Sequence, residues 1–181
     1  MFNDTIVAIS SAVNDGAISI IRLSGEQAIE IVNKIFSKDL TKCEANTINY
    51  GTITDNNELV DEVLVSIFKA PKTFTNEDVV EINTHGGTYV TRQVLSLCLA
   101  NGARLAERGE FTKRAYLNGR IDMSQAEAIN DIINAKDEAN ARLAIKGIKG
   151  SITKLINPLI EDLLNIIAQI EVNIDYPEYE D

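Results

Sequence analysis

The chain has 181 residues, of which 45% are hydrophobic and 24% charged, an ordinary globular composition that excludes wholesale disorder. That length suits one substantial core with an accessory piece rather than a large multidomain enzyme. Seventeen basic against 27 acidic residues leave a net charge of −10, which argues against a general nucleic-acid-binding surface.

The charge is unevenly placed. Beyond Lys154 there is no basic residue, while Glu161, Asp162, Glu171, Asp175, Glu178, Glu180 and Asp181 are acidic. The stretch from Arg104 to Arg120 holds five basic residues and two acids, so any contact with RNA is expected to be local, through that patch or through a partner. No apolar run approaches the roughly 18 residues that span a bilayer. The N-terminal MFNDTIVAIS has no basic region ahead of its apolar stretch and does not read as a signal peptide. Cys43 and Cys98 are too few for a disulfide framework. A cytoplasmic protein is the expectation.

The first part of the chain alternates strands and helices. Residues 5–9 (TIVAI) and 17–23 (AISIIRL) are β-branched runs separated by a polar turn at Asn14, Asp15 and Gly16. Ser24 and Gln27 form a capping-box pattern ahead of a helix faced by Ala28, Ile29, Val32, Ile35 and Phe36. Residues 48–54 and 62–68 predict a hairpin with Asp55, Asn56 and Asn57 at its tip. Residues 78–83 (DVVEIN) predict a third apolar strand, which runs into His85-Gly86-Gly87 and then a helix stopped by Asn101-Gly102. Gly109 introduces a short helix whose Lys113 and Arg114 are expected in solvent.

The pattern changes at Asn118-Gly119, beyond which apolar residues fall at helical spacing. Ser124 and Glu127 predict a second capping box, opening a long helix faced by Ala126, Ile129, Ile132 and Ile133. A further helix carries Ile152, Ile156, Leu159, Leu163, Ile166 and Ile170 as an a/d seam, broadened by Leu155, Ile160, Leu164 and Ile167. Pro158 marks an early turn or a kink. Helices this apolar predict a bundle completed by further helices, from more chain or a second subunit.

Several chemistries find no support. There is no phosphate-binding G-x-x-x-x-G-K-[ST] loop, no G-x-G-x-x-G after a strand, no paired-cysteine motif and no HExxH. A sole histidine, His85, cannot supply a multi-histidine metal site. No catalytic or metal-ligating residue is assigned, and nucleotide hydrolysis by this chain alone is not expected. The positive features are charged residues in apolar strands. Arg22 shares a strand face with Ile18 and Ile20; it is an edge-strand arginine in water, half of an internal ion pair, or a clamp for an anionic or planar ligand. Glu81 shares a face with Val79, opposite Val80 and Ile82. It can make a salt bridge or accept two hydrogen bonds from the N–H edge of a pterin or purine. Arg120 projects from the hinge between the two parts, where ligand crevices form. His85-Gly86-Gly87 offers close backbone approach and positive φ, with His85 read as a packing residue before a general base.

Taken in order, DTIVAI, IIRLSG, FTNEDVVEINTHGG, GEFTKRAYLNGRIDMSQAEAI and IDYPEYED resemble the N-terminal part of the MnmE (TrmE) family of tRNA modification GTPases. The resemblance covers nearly the whole chain. It departs at residues 10–17, SSAVNDGA, where that family usually carries a Pro-Pro-Gly-rich loop. The resemblance implies an α+β fold: residues 1–118 as a mixed sheet-and-helix, T-protein-like domain for tetrahydrofolate binding and dimerisation, and residues 119–181 as the first part of an all-α helical domain. The family's formyl-tetrahydrofolate contacts would fall on Arg22, Glu81 and Arg120, with Glu81 on the pterin edge and an arginine on an acidic group. The cofactor implied is 5-formyl-tetrahydrofolate, with GTP, Mg2+ and K+ bound by family segments not in this sequence. The implied partners are a second copy of the chain, the FAD-dependent MnmG, and tRNA modified at C5 of the wobble uridine, with no membrane. A free-standing folate-dependent transferase and a protein-interaction scaffold are the alternatives.

Overall fold

A computed structural model describes residues 4–12 and 16–175, and the chain divides into two compact units, Met1–Arg120 and Ile121–Asp181. The first is α+β. Its strands are β1 (Ile6–Ile9), β2 (Ile18–Ser24), β3 (Thr47–Asp55), β4 (Glu58–Phe68), β5 (Val79–His85) and β6 (Arg104–Leu105), joined in the order β3-β4-β5-β2-β1-β6. All pairs are antiparallel except β1 with β6. The helices are α1 (Ala28–Asn33), α2 (Thr88–Ala100) and α3 (Glu110–Leu117).

Period-two alternation decides which sheet face is covered. Val7, Ile21, Leu23, Val63, Val65, Ile67, Val80 and Ile82 form one buried cluster with Ala28, Ile29, Ile31 and Val32 of α1 and Val94 and Cys98 of α2. Arg22 and Glu81 alternate with those residues and so stand on the other face. The β3–β4 hairpin turns at Asn56 and Asn57, both with positive φ (47° and 67°), as a two-residue turn matched to strand twist requires.

Two details of the expected α+β unit change. Ser24 does not cap a helix: it is the last, buried residue of β2, and its hydroxyl meets Thr75 Oγ1 and Glu77 Oε2, each at 2.7 Å. Helix α1 starts instead at Ala28, with no side-chain cap from Gln27. And β2 lies between β5 and β1, so Arg22 is not an edge-strand residue. The turn residues Asn14 and Asp15 lie outside the described residues.

The second unit contains α4 (Met123–Asn134), α5 (Glu138–Ile148) and α6 (Ser151–Asp175). The capping box falls two residues earlier than expected: Asp122 accepts from the Gln125 amide at 2.8 Å, and Gln125 Oε1 accepts from the Asp122 amide at 3.0 Å. Ser124 only donates to that aspartate. The expected long helix is broken, because Ala135 leaves helical geometry and Asp137 caps α5 by accepting from the Asn140 amide. Gly147 of α5 lies so close to α4 that a Cβ there would stand 2.7 Å from the Cβ of Ala128. Helix α6 continues through Pro158, and its seam residues Ile156, Leu159, Leu163, Ile166 and Ile170 are all exposed. Among the described residues no helix is long and apolar enough to cross a membrane.

Candidate functional site

The antiparallel register sets Arg22 of β2 directly opposite Glu81 of β5. Arg22 Nε donates to Glu81 Oε1 at 2.8 Å, and Arg22 Nη2 forms an ion pair with the same oxygen at 2.6 Å. The Arg22 guanidinium also lies over the Phe111 ring of α3, 5.8 Å from its centroid, within cation–π range. Both Arg22 bonds end on one carboxylate oxygen. Among the described residues Glu81 Oε2 forms no hydrogen bond, so it keeps accepting capacity.

This pair lines a cavity of about 760 Å³ whose other walls are Phe68, Pro71, Lys72, Thr73, Phe74, Val79 and Arg120. Such a volume is in the ordinary range for a small organic ligand, roughly 300–1,000 Å³. Three cations and one anion face it, although the chain as a whole carries −10. Phe68 and Phe74 supply flat apolar surface. The three residues singled out in the sequence therefore meet in one space within the first unit. Four wall residues, Pro71, Lys72, Thr73 and Phe74, come from the 69–78 connection between β4 and β5. The signal available for it was PKTFT, a proline and an aromatic interrupting two strands.

That connection is fastened from behind. Thr75 is fully buried against Ser24, Asn118 Nδ2 donates to Thr75 O at 2.7 Å, and Asn76 Nδ2 donates to Asn118 O at 3.0 Å. Glu77 accepts from Ser24 and from Arg114. Arg114 corrects an expectation: it is fully buried rather than solvated. It donates to Asp4 O at 2.8 Å, to Asp4 Oδ1 at 2.7 Å and to Glu110 Oε1 at 3.2 Å. Enough carboxylates surround it to offset the desolvation of its charge. Arg104 joins the cluster through Asp4 and Glu110. Its hydrogen bond is the largest influence holding the Glu110 carboxyl down at about 2, helped by the Glu107 amide and Arg114 and opposed by burial. The basic run from Arg104 to Arg120 is consequently no open patch, since two of its five cations are spent on internal carboxylates.

His85 does not line the cavity. Asp61 holds it, accepting from the His85 amide at 2.9 Å and bonding its Nδ1 at 2.6 Å, and that hydrogen bond raises the imidazole pKa above 6.5. The folded chain then holds this proton more tightly than the unfolded chain. The contribution is complete below pH 6.5 and vanishes as pH rises through the raised value. In proton NMR the single imidazole is expected to titrate above 6.5, and Asp61→Asn to bring it down. The thermal midpoint should fall across that window in the parent and stay flat in the variant. Asp78, the other candidate base, is likewise absent from the cavity lining and accepts from the Ala70 amide. Among the described residues no cluster of three or more metal-ligating side chains occurs.

Fold and site together define an α+β module with a ligand-sized, cationic, aromatic-walled cavity on one face of its sheet, followed by a helical unit. Comparison with known families is consistent along the chain. Residues 5–120 match the model of the GTP-binding protein TrmE N-terminus, and residues 123–181 match that of the MnmE helical domain. The chain is 58% identical over 179 residues to the tRNA modification GTPase MnmE of Streptococcus thermophilus, and 56% identical over 179 residues to that of Lactococcus lactis subsp. lactis. It is 57% identical over 181 residues to that of Bacillus cytotoxicus. Each match covers 98% of this chain but only 39 or 40% of the relative, so the chain spans about two fifths of their length. The chain belongs to the MnmE (TrmE) family.

Proposed function

We propose that this chain is the folate-binding and dimerisation portion of a tRNA modification GTPase, and that its cavity takes 5-formyl-tetrahydrofolate as a one-carbon donor. The observation that carries the reading is the convergence of the Arg22–Glu81 pair and Arg120 on one cavity between Phe68 and Phe74. Glu81 Oε2 accepts from the N–H edge of the pterin, the phenyl rings cover its faces, and the cations attract the acidic part of the ligand. The chain is not catalytic alone. In this reading GTP, Mg2+ and K+ bind the remaining part of the family protein, which acts with MnmG in the cytoplasm to install an aminomethyl-type group at C5 of the tRNA wobble uridine. Two copies associate through the first unit. A free-standing transferase is not favoured, because neither His85 nor Asp78 lines the cavity.

The test is calorimetric titration of the purified chain with 5-formyl-tetrahydrofolate, with GTP as a silent control. Glu81→Ala is expected to weaken folate binding by about 10- to 100-fold, the scale of a lost charge-assisted hydrogen bond of about 1.5–3 kcal/mol. Equal affinity of parent and variant would remove Glu81 from the site.

A further inference from the structure

The cavity's cations are not equivalent. Arg22 is already paired, its guanidinium hydrogen-bonded and ion-paired to Glu81 Oε1 and lying over the Phe111 ring. A ligand carboxylate would have to compete with Glu81 for it, in a geometry the sheet register has fixed. Lys72 and Arg120 differ. Both are exposed and line the same cavity, and neither side chain makes an ion pair or hydrogen bond among the described residues. Lys72 comes from the 69–78 connection, while Arg120 follows the Gly119 turn (φ 70°) after α3 and is anchored only by its amide, which donates to Ala115 O at 2.8 Å. Two unspent positive charges on one cavity of a chain carrying −10 can receive two negative charges on a guest.

We infer that Lys72 and Arg120 together form a dianion subsite that holds the two carboxylates of the ligand's terminal glutamate, while the Arg22–Glu81 pair serves the heterocycle. This rests on the folate reading and deepens it. It transfers the acid-binding role from either arginine to Arg120 alone, and it adds Lys72, to which neither motif nor composition pointed. A pteroate ends at its aminobenzoate carboxylate and offers one negative charge where a folate offers the two of its glutamate, so the subsite selects folates against pteroates.

The test compares 5-formyl-tetrahydrofolate with 5-formyl-tetrahydropteroate, which lacks the glutamate, by calorimetry on the full chain. The pteroate is expected to bind about tenfold or more weakly at low salt, and the gap to narrow as ionic strength rises from about 0.05 M to about 0.5 M, because exposed charges are screened. Lys72→Gln and Arg120→Gln should each shrink the ratio of the two affinities, and the double variant should bring it near one. Both side chains are exposed, so circular dichroism should report parent-like folding. Glu81→Gln should instead weaken both ligands in equal proportion and preserve the ratio. A ratio of one in the parent, or an unchanged ratio in the double variant, overturns the dianion subsite while leaving the pterin site standing. Failure of the parent to bind either ligand overturns the folate reading and the subsite with it.

Discussion

Arg114→Met is expected to lower the unfolding free energy by about 3–5 kcal/mol, the usual cost of removing one partner from a buried ion cluster. Arg114 is fully buried and touches carboxylates of Asp4, Glu77 and Glu110. Without it only Arg104 remains to balance those three acids, and Arg104 reaches just Asp4 and Glu110. The pair Arg142–Glu138 provides the contrast. Its separation is 2.5 Å, shorter than any ion pair Arg114 makes, but both side chains are more than three quarters exposed. Arg142→Met should therefore cost no more than about 0.5 kcal/mol. Burial sets the difference, because distance alone would rank the two the other way. Urea unfolding followed by circular dichroism reads both values. Combining Arg114→Met with Glu110→Gln should cost less than the sum of the two single changes, since the second removes a charge the first has stranded.

Gly86→Ala is expected to cost about 1–3 kcal/mol, as forced overpacking generally does, while Gly87→Ala next to it should cost less than about 1 kcal/mol, the small range that separates glycine from alanine at a helix N-cap. Neither glycine has positive φ. Gly86 is needed because the ends of β2 and β5 approach backbone to backbone: the Gly16 amide donates to Gly86 O and the Gly86 amide to Ala17 O, each at 3.2 Å. A Cβ on Gly86 would stand 2.5 Å from the Gly16 carbonyl carbon, closer still to its oxygen, and 2.8 Å from the Ile18 amide nitrogen. Backbone cannot rotate aside as a side chain can. A Cβ on Gly87 meets nothing within 4 Å. Thermal unfolding of the two single variants separates a crowding requirement from a merely flexible Gly-Gly turn.

Much of the first unit was legible because burial on one face imposes alternation. Val80 and Ile82 enter the core while Val79 and Glu81 line the cavity, as period two demands. The Asn-Asn hairpin and the glycine stops after α2 and α3 were equally readable, since left-handed backbone favours few residue types. Arg114 was misread because an arginine beside a lysine on a short amphipathic helix looks solvated. Its partners Asp4 and Glu77 lie 110 and 37 residues away, and no local pattern encodes them. Ser24 was misread for the same reason, its hydroxyl being claimed by Thr75 and Glu77 across the fold. The break at Ala135 escaped because neither glycine nor proline marks it. In the site, Arg22 and Glu81 stood out as charges within apolar strands. The aromatic walls did not, because a phenylalanine at a strand end, like Phe68, is usually core, and Phe74 lies in a connection outside any strand or helix pattern.

The strap at 69–78 is locked to Ser24 and Asn118, and through Glu77 to Arg114, by bonds that involve no guest. Thr75, Asn76 and Glu77, the back of that wall, are thus placed when the unit folds. A molecule entering the cavity need not order those three residues, and the entropy that ordering them would draw from the association is left in the measured affinity. The same arrangement means that damage to a charge deep behind the wall would be felt at the mouth, as looser grip rather than as a missing contact.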